Sequence, residues 1–101
     1  MSQIAVIARI PAVPGKRAEL VKALQQALDN VAGEPGTLQY ILHEDVKDPD
    51  AVWFYELYTD QAALDAHSTS DGMKALGPAL AGLVAGRPEL TIVKPVGGKG
   101  L

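Results

Sequence analysis

The sequence predicts an α+β domain in which one four-stranded antiparallel sheet carries its helices on a single face. Three observations predict it. Short apolar, β-branched runs and amphipathic stretches follow one another in the order strand, helix, strand, strand, helix or split helix, strand. Lys47-Asp48-Pro49-Asp50 joins the two middle strands as a hairpin, because proline presets φ and aspartate bonds its own backbone. The chain has 101 residues, room for one domain and not for two.

Ile4 to Ile10 is apolar and β-branched, a strand that Pro11 and Pro14-Gly15 end. From Lys16 to Val31, Leu20, Val21, Leu24, Leu28 and Val31 recur at helical spacing among charged and amide residues. Gly33-Glu34-Pro35-Gly36 stops that helix. Thr37 to Val46 and Ala51 to Tyr58 are the hairpin strands. Thr59-Asp60 offers an N-cap for a helix over 61–67, and Ser70 or Asp71 caps the next. Met73, Leu76, Leu80, Leu83 and Val84 continue the helical spacing, with Gly77-Pro78 marking either a kink or a fresh first turn. Glu89 to Val96 is the last strand. The domain spans residues 1–96, and the glycine-rich 97–101 is expected to be a flexible tail. This element order is the split βαβ of ferredoxin-like domains.

Composition narrows the function. The charged fraction is 21% and the net charge −3, with no basic block, which argues against a nucleic-acid partner. The absence of cysteine removes disulfides, thiolate metal sites and thiol catalysis. No run approaches the roughly 20 apolar residues of a membrane span, and the N-terminus does not read as a secretory signal. A soluble cytoplasmic protein is the expectation. No His-Glu-x-x-His or Gly-x-Gly-x-x-Gly spacing occurs. Neither a metal nor an organic cofactor is expected.

Helices on one side of a sheet cover one face, so the strands of a lone domain should alternate apolar and polar residues. These do not. Trp53, Tyr55 and Leu57 share one face of the third strand; Val52, Phe54, Glu56 and Tyr58 share the other. The first strand opposes Val6 and Ala8 to Ala5 and Ile7, and the last opposes Leu90 and Ile92 to Thr91 and Val93. At about 25 cal/mol per Å² of apolar area, solvating such a face costs several kcal/mol. The expectation is a homodimer, sheet against sheet.

Four of the five aromatic residues fall between Trp53 and Tyr58, with Glu56 among them. A carboxylate among rings must be hydrogen-bonded or protonated. His67 lies three and four residues after Leu64 and Ala63 and so turns toward the core, where a neutral imidazole can accept a proton from a phenol. Glu56 and His67 are therefore the candidate catalytic pair, or else a structural tie between strand and helix. Phe54, Tyr58, Trp53 and His43 are the candidate substrate-binding residues. Trp53 also suits a dimer core, Tyr58 plain packing, and His43 an exposed strand position beside Asp45. Arg9 is expected to reach an edge or an inter-subunit carboxylate.

Three segments carry a resemblance to a known family: Pro14-Gly15-Lys16; Glu34 to Tyr40; and above all Glu56-Leu57-Tyr58-Thr59-Asp60-Gln61-Ala62-Ala63-Leu64-Asp65-Ala66-His67. In the last, a Glu is followed by an aromatic two positions on, an Ala-Leu pair, and a His eleven after the Glu. The chain resembles the antibiotic biosynthesis monooxygenase family over about residues 4–96. The resemblance implies a dimeric α/β barrel of ferredoxin-like subunits. The family includes cofactor-free oxygenases of quinols and polyketide phenols, haem degraders and a sugar isomerase. Several members use an asparagine on or near a strand; the single asparagine here, Asn30, ends the first helix. The leading expectation is a cofactor-independent monooxygenase of a small phenol or hydroquinone. The alternatives are a non-oxidative isomerase or small-molecule binder, or a non-catalytic dimeric module.

Overall fold

The structure, a computed structural model, describes residues 2–101. Four strands and three helices follow in the order β1 (Ile4–Pro11), α1 (Arg17–Val31), β2 (Thr37–Glu44), β3 (Ala51–Tyr58), α2 (Gln61–Ser68), α3 (Asp71–Leu80) and β4 (Glu89–Val93). The sheet order is β2-β3-β1-β4 with every neighbouring pair antiparallel, the expected α+β ferredoxin-like arrangement.

Local chemistry explains the boundaries. Gly15 takes a φ of 81°, which a glycine adopts without a Cβ penalty, and turns the chain from β1 into α1. Leu20, Leu24 and Ala27 form the buried stripe of α1. β2 stops at Glu44, two residues before the expected Val46. The Asp45 carboxylate accepts the backbone N–H groups of Lys47 and Asp48, both at 2.8 Å, and turns the chain early. A bulge between Thr37 and Gln39 leaves Leu38 without a cross-strand partner. Asp60 caps α2 through the Ala63 N–H, and Ser70 caps α3 through the Met73 N–H. Pro78 does not open a new helix; it sits in the last turn of α3, and the helix ends two residues later. β4 ends at Val93, short of the expected Val96. Val93 pairs with Ala5, and β1 has only Ile4 left to offer beyond it.

The expected division of faces is present. Val6, Ala8 and Ile10 of β1 and Val52, Phe54 and Tyr58 of β3 are buried on the helix side. Leu20, Leu24 and Leu76 complete the main core there, and Tyr58 with Val6 and Leu64 forms a second cluster. The opposite face carries Ile7, Ile41 and Val93 in the open, 39%, 45% and 38% exposed, around a half-buried Tyr55. Arg9 on that face bonds the Asp48 carboxylate of its own chain at 2.7 Å and lies 3.9 Å from Glu89 on the edge strand β4, the edge alternative expected for it. The helices stop short of β4: Leu90 and Ile92 point to the helix side yet remain 64% and 58% exposed. The layer is therefore open along this edge, and the opening leads to Glu56.

Candidate active site

Two lobes of one cleft lie between the sheet and the helices. The outer lobe, about 230 Å³, is bounded by Val6, Gln61, Leu64, Asp65, His67 and Ile92. The inner lobe, about 210 Å³, is bounded by Ala8, Leu24, Tyr40, Phe54, Leu76 and Pro88. Glu56, Met73 and Leu90 line both, so Glu56 stands at the junction.

Glu56 arrives there because it alternates with Phe54 and Tyr58 on the helix face of β3. The Tyr58 hydroxyl donates to Glu56 Oε1 at 2.5 Å. The other carboxylate oxygen makes no hydrogen bond among the described residues. Since no buried side-chain oxygen or nitrogen lacks a partner among the described residues, that oxygen retains open surface, which the cleft provides. Burial pushes the Glu56 carboxyl above the usual range, against the opposing pull of Tyr58 and of His67. Burial likewise drives the Tyr58 and Tyr40 hydroxyls well above the ordinary tyrosine value, with Glu56 adding to both.

His67 occupies the last turn of α2, buried, with the Tyr40 ring at 5.2 Å and the Tyr58 ring at 5.4 Å. Its Nδ1 does not meet Glu56, the partner expected from the sequence. It meets Glu34 Oε1 at 2.9 Å, and the same oxygen accepts the Thr37 hydroxyl at 2.8 Å. Glu56 and His67 face one cleft as two separately anchored groups, Glu56 held by Tyr58 and His67 by Glu34. A third cavity, about 240 Å³, lies behind His67 and is lined by Glu34, Thr37 and Ala66.

These placements divide the candidate residues. Glu56, His67 and Phe54 come together at the cleft. Tyr58 is fully buried with its hydroxyl committed to Glu56 and touches neither lobe. Trp53 and His43 pair with each other across β2 and β3 on the opposite face, and the Trp53 Nε1–H donates to Asp45 at 2.8 Å. The sheet separates them from Glu56. Asn30 packs at the start of α3, where a Cβ on Gly72 would come within 2.7 Å of its amide nitrogen. Glu34, Tyr40, Met73 and Leu90 were not anticipated as site residues. Tyr40 was legible: it shares a face with Leu42 in β2 and crosses to Glu56, its ring 4.6 Å from Phe54. Glu34 stood out only in the turn that ends α1 and as the first residue of a segment carrying the family resemblance, with no role attached to it.

A profile of the antibiotic biosynthesis monooxygenase family matches residues 3–78, well over half of the chain. The chain belongs to this family. An antibiotic biosynthesis monooxygenase-like protein of Caulobacter crescentus has a crystal structure that superposes with a TM-score of 0.87 at 33% identity, covering 95% of this chain and 92% of that one. A Mycobacterium tuberculosis protein superposes at 0.85 with 26% identity, covering 97% and 99%. An uncharacterised Synechocystis protein is 31% identical over 64 residues, which are 63% of this chain and 44% of its own length. The chain thus spans less than half of that curated relative. Among the described residues no group of three or more His, Cys, Asp or Glu is placed to hold a metal ion. No described helix is long and apolar enough to cross a membrane.

Proposed function

We propose that the protein is a cofactor-independent monooxygenase of a small electron-rich phenol or hydroquinone, bound in the cleft beneath α2 and α3. The observation that carries this reading is the position of Glu56. It joins a lobe walled by the Phe54 and Tyr40 rings to a lobe holding the His67 imidazole. The aromatic body of a substrate suits the first lobe, and a ring hydroxyl the second. His67 takes the phenolic proton, with the free Glu56 oxygen holding a neighbouring substrate oxygen. The phenolate transfers one electron to dioxygen, leaving a phenoxyl radical and superoxide. Their combination at a ring C–H carbon forms a peroxide anion, which takes back the proton from His67 to become a hydroperoxide and then loses water to leave a quinone. Phenol plus dioxygen thus yields quinone plus water. Family membership supports this reading. Oxygen uptake by the metal-free protein across a panel of phenols and dihydroquinones tests it. Uptake at the buffer rate throughout, or full activity in His67→Ala, overturns it.

A second reading, a non-oxidative isomerase, is favoured by one feature: two ionisable groups on one cleft, not bonded to each other, suit moving a proton between two carbons. Turnover under strict anaerobiosis would select it.

The exposed apolar face of Ile7, Ile41 and Val93 supports pairing of two copies through the helix-free side of the sheet. Sedimentation at micromolar concentration tests this, and a particle of the single-chain mass, 10.6 kDa, would overturn it. The proposed location remains cytoplasmic, to be tested by fractionation.

A further inference from the structure

We infer that Glu34 is a positioning residue for His67: it holds the imidazole as the Nδ1–H tautomer and so presents the basic Nε2 outward, away from the α1–β2 loop. The inference deepens, and rests on, the reading of His67 as the proton acceptor.

The chemistry of the pair leaves little choice. An ionised carboxylate offers lone pairs and no proton, so the nitrogen it meets must carry the hydrogen. A neutral imidazole has one N–H. Giving it to Glu34 Oε1 at 2.9 Å leaves Nε2 with a free lone pair. Nε2 makes no hydrogen bond among the described residues and keeps open surface, since no buried side-chain nitrogen is left unpartnered there. An unrestrained neutral histidine favours the opposite tautomer, which would turn its lone pair toward Glu34 and carry its N–H on Nε2. That form could donate to a phenol but not accept from it.

Glu34 is itself fixed. The Thr37 hydroxyl holds the accepting oxygen at 2.8 Å from the start of β2. Gly36, between them, lets α2 approach closely: a Cβ there would come within 2.6 Å of the Ala63 Cβ. Among the described residues no other polar or charged group bonds the ring: Tyr40 and Tyr58 lie tilted against it from β2 and β3, Glu56 bonds Tyr58 through Oε1 and makes no bond to the imidazole, and the Asp65 carboxylate on α2 accepts from Gln61. As His67 gains a proton, Glu34 faces the resulting imidazolium and stabilises it through a charge-assisted hydrogen bond.

Long-range proton–nitrogen correlation spectra of the labelled full chain at about pH 9, where an ordinary histidine is neutral, read the tautomer directly. His43→Gln removes the other histidine's signals. The expected result is a protonated Nδ1 and an unprotonated Nε2 in the parent protein, a swap or mixture in Glu34→Ala, and the parent pattern in Glu34→Gln, whose amide oxygen still accepts. An unchanged pattern in Glu34→Ala, or a Glu34→Gln spectrum matching that of Glu34→Ala, overturns the inference. On any phenol that turns over, Glu34→Ala should lower kcat by about 10²-fold, with KM little changed. A tautomer that responds while no phenol turns over removes the proposed reaction and leaves the role of Glu34 intact. Turnover that needs His67 with a tautomer indifferent to Glu34 removes the positioning role alone.

Discussion

The Tyr58 hydroxyl donates to Glu56 Oε1 from two residues along the same strand, on the same face of β3. The pair is buried, and it turns one carboxylate oxygen toward the core and leaves the other for the cleft. Removing either member has a calculable direction, because each is the other's only hydrogen-bonding partner among the described side chains.

Glu56→Gln should change how stability depends on pH. Burial raises the Glu56 carboxyl above its ordinary 4.5 in the folded chain. A raised carboxyl holds more protons folded than unfolded, so its contribution is full below about 4.5 and is lost as pH rises through the folded value. The amide accepts the Tyr58 hydroxyl without ionising. Urea unfolding from pH 4 to pH 8 should show the parent losing ground to Glu56→Gln as pH rises. A constant difference across that range would contradict the assignment.

Tyr58→Phe keeps the ring in the Val6–Leu64 cluster and deletes the donor. The expected cost is about 1–3 kcal/mol, the penalty for leaving a buried acceptor unpaired. It should grow with pH as Glu56 ionises, and chemical denaturation at two pH values measures it.

Asp45 holds the hairpin turn and the Trp53 indole together. Backbone N–H of Asp48, the Trp53 Nε1–H and the Lys47 N–H lower its carboxyl from 3.8 to about 2. A lowered carboxyl contributes stability above its unfolded value and loses it as pH falls through the folded one. The parent should therefore lose its advantage over Asp45→Asn between about pH 4 and pH 2. Trp53 fluorescence during acid titration reports the same step, and parallel titration curves for the two proteins would refute it.

Gly36→Ala places a methyl 2.6 Å from the Ala63 Cβ, where one of the two segments must move. Overpacking of this kind costs about 1–3 kcal/mol. The Thr59 N–H to Gly36 carbonyl bond at 3.0 Å ties the same point to the end of β3, so the shift should also disturb Glu34 and His67. Thermal unfolding together with the His67 ring spectrum checks both effects.

Element order, the antiparallel sheet and the allocation of every β3 side chain to its face were legible in the sequence. Periods of two and of 3.6 are properties of the local chain, and hydrophobic burial enforces them wherever a face leaves water. That Phe54, Glu56 and Tyr58 share a face away from Trp53, and that His67 turns inward, followed from spacing alone. The partners of the ionisable groups did not. Periodicity puts Glu56 and His67 on the same side of the sheet but cannot rank hydrogen-bond acceptors that differ by a few ångströms. Glu34 reaches His67 from 33 residues away, through a loop whose path depends on Gly36 fitting beneath α2. Hydrogen bonds select by distance and angle, and those were set only when strand, helix and loop had packed against one another.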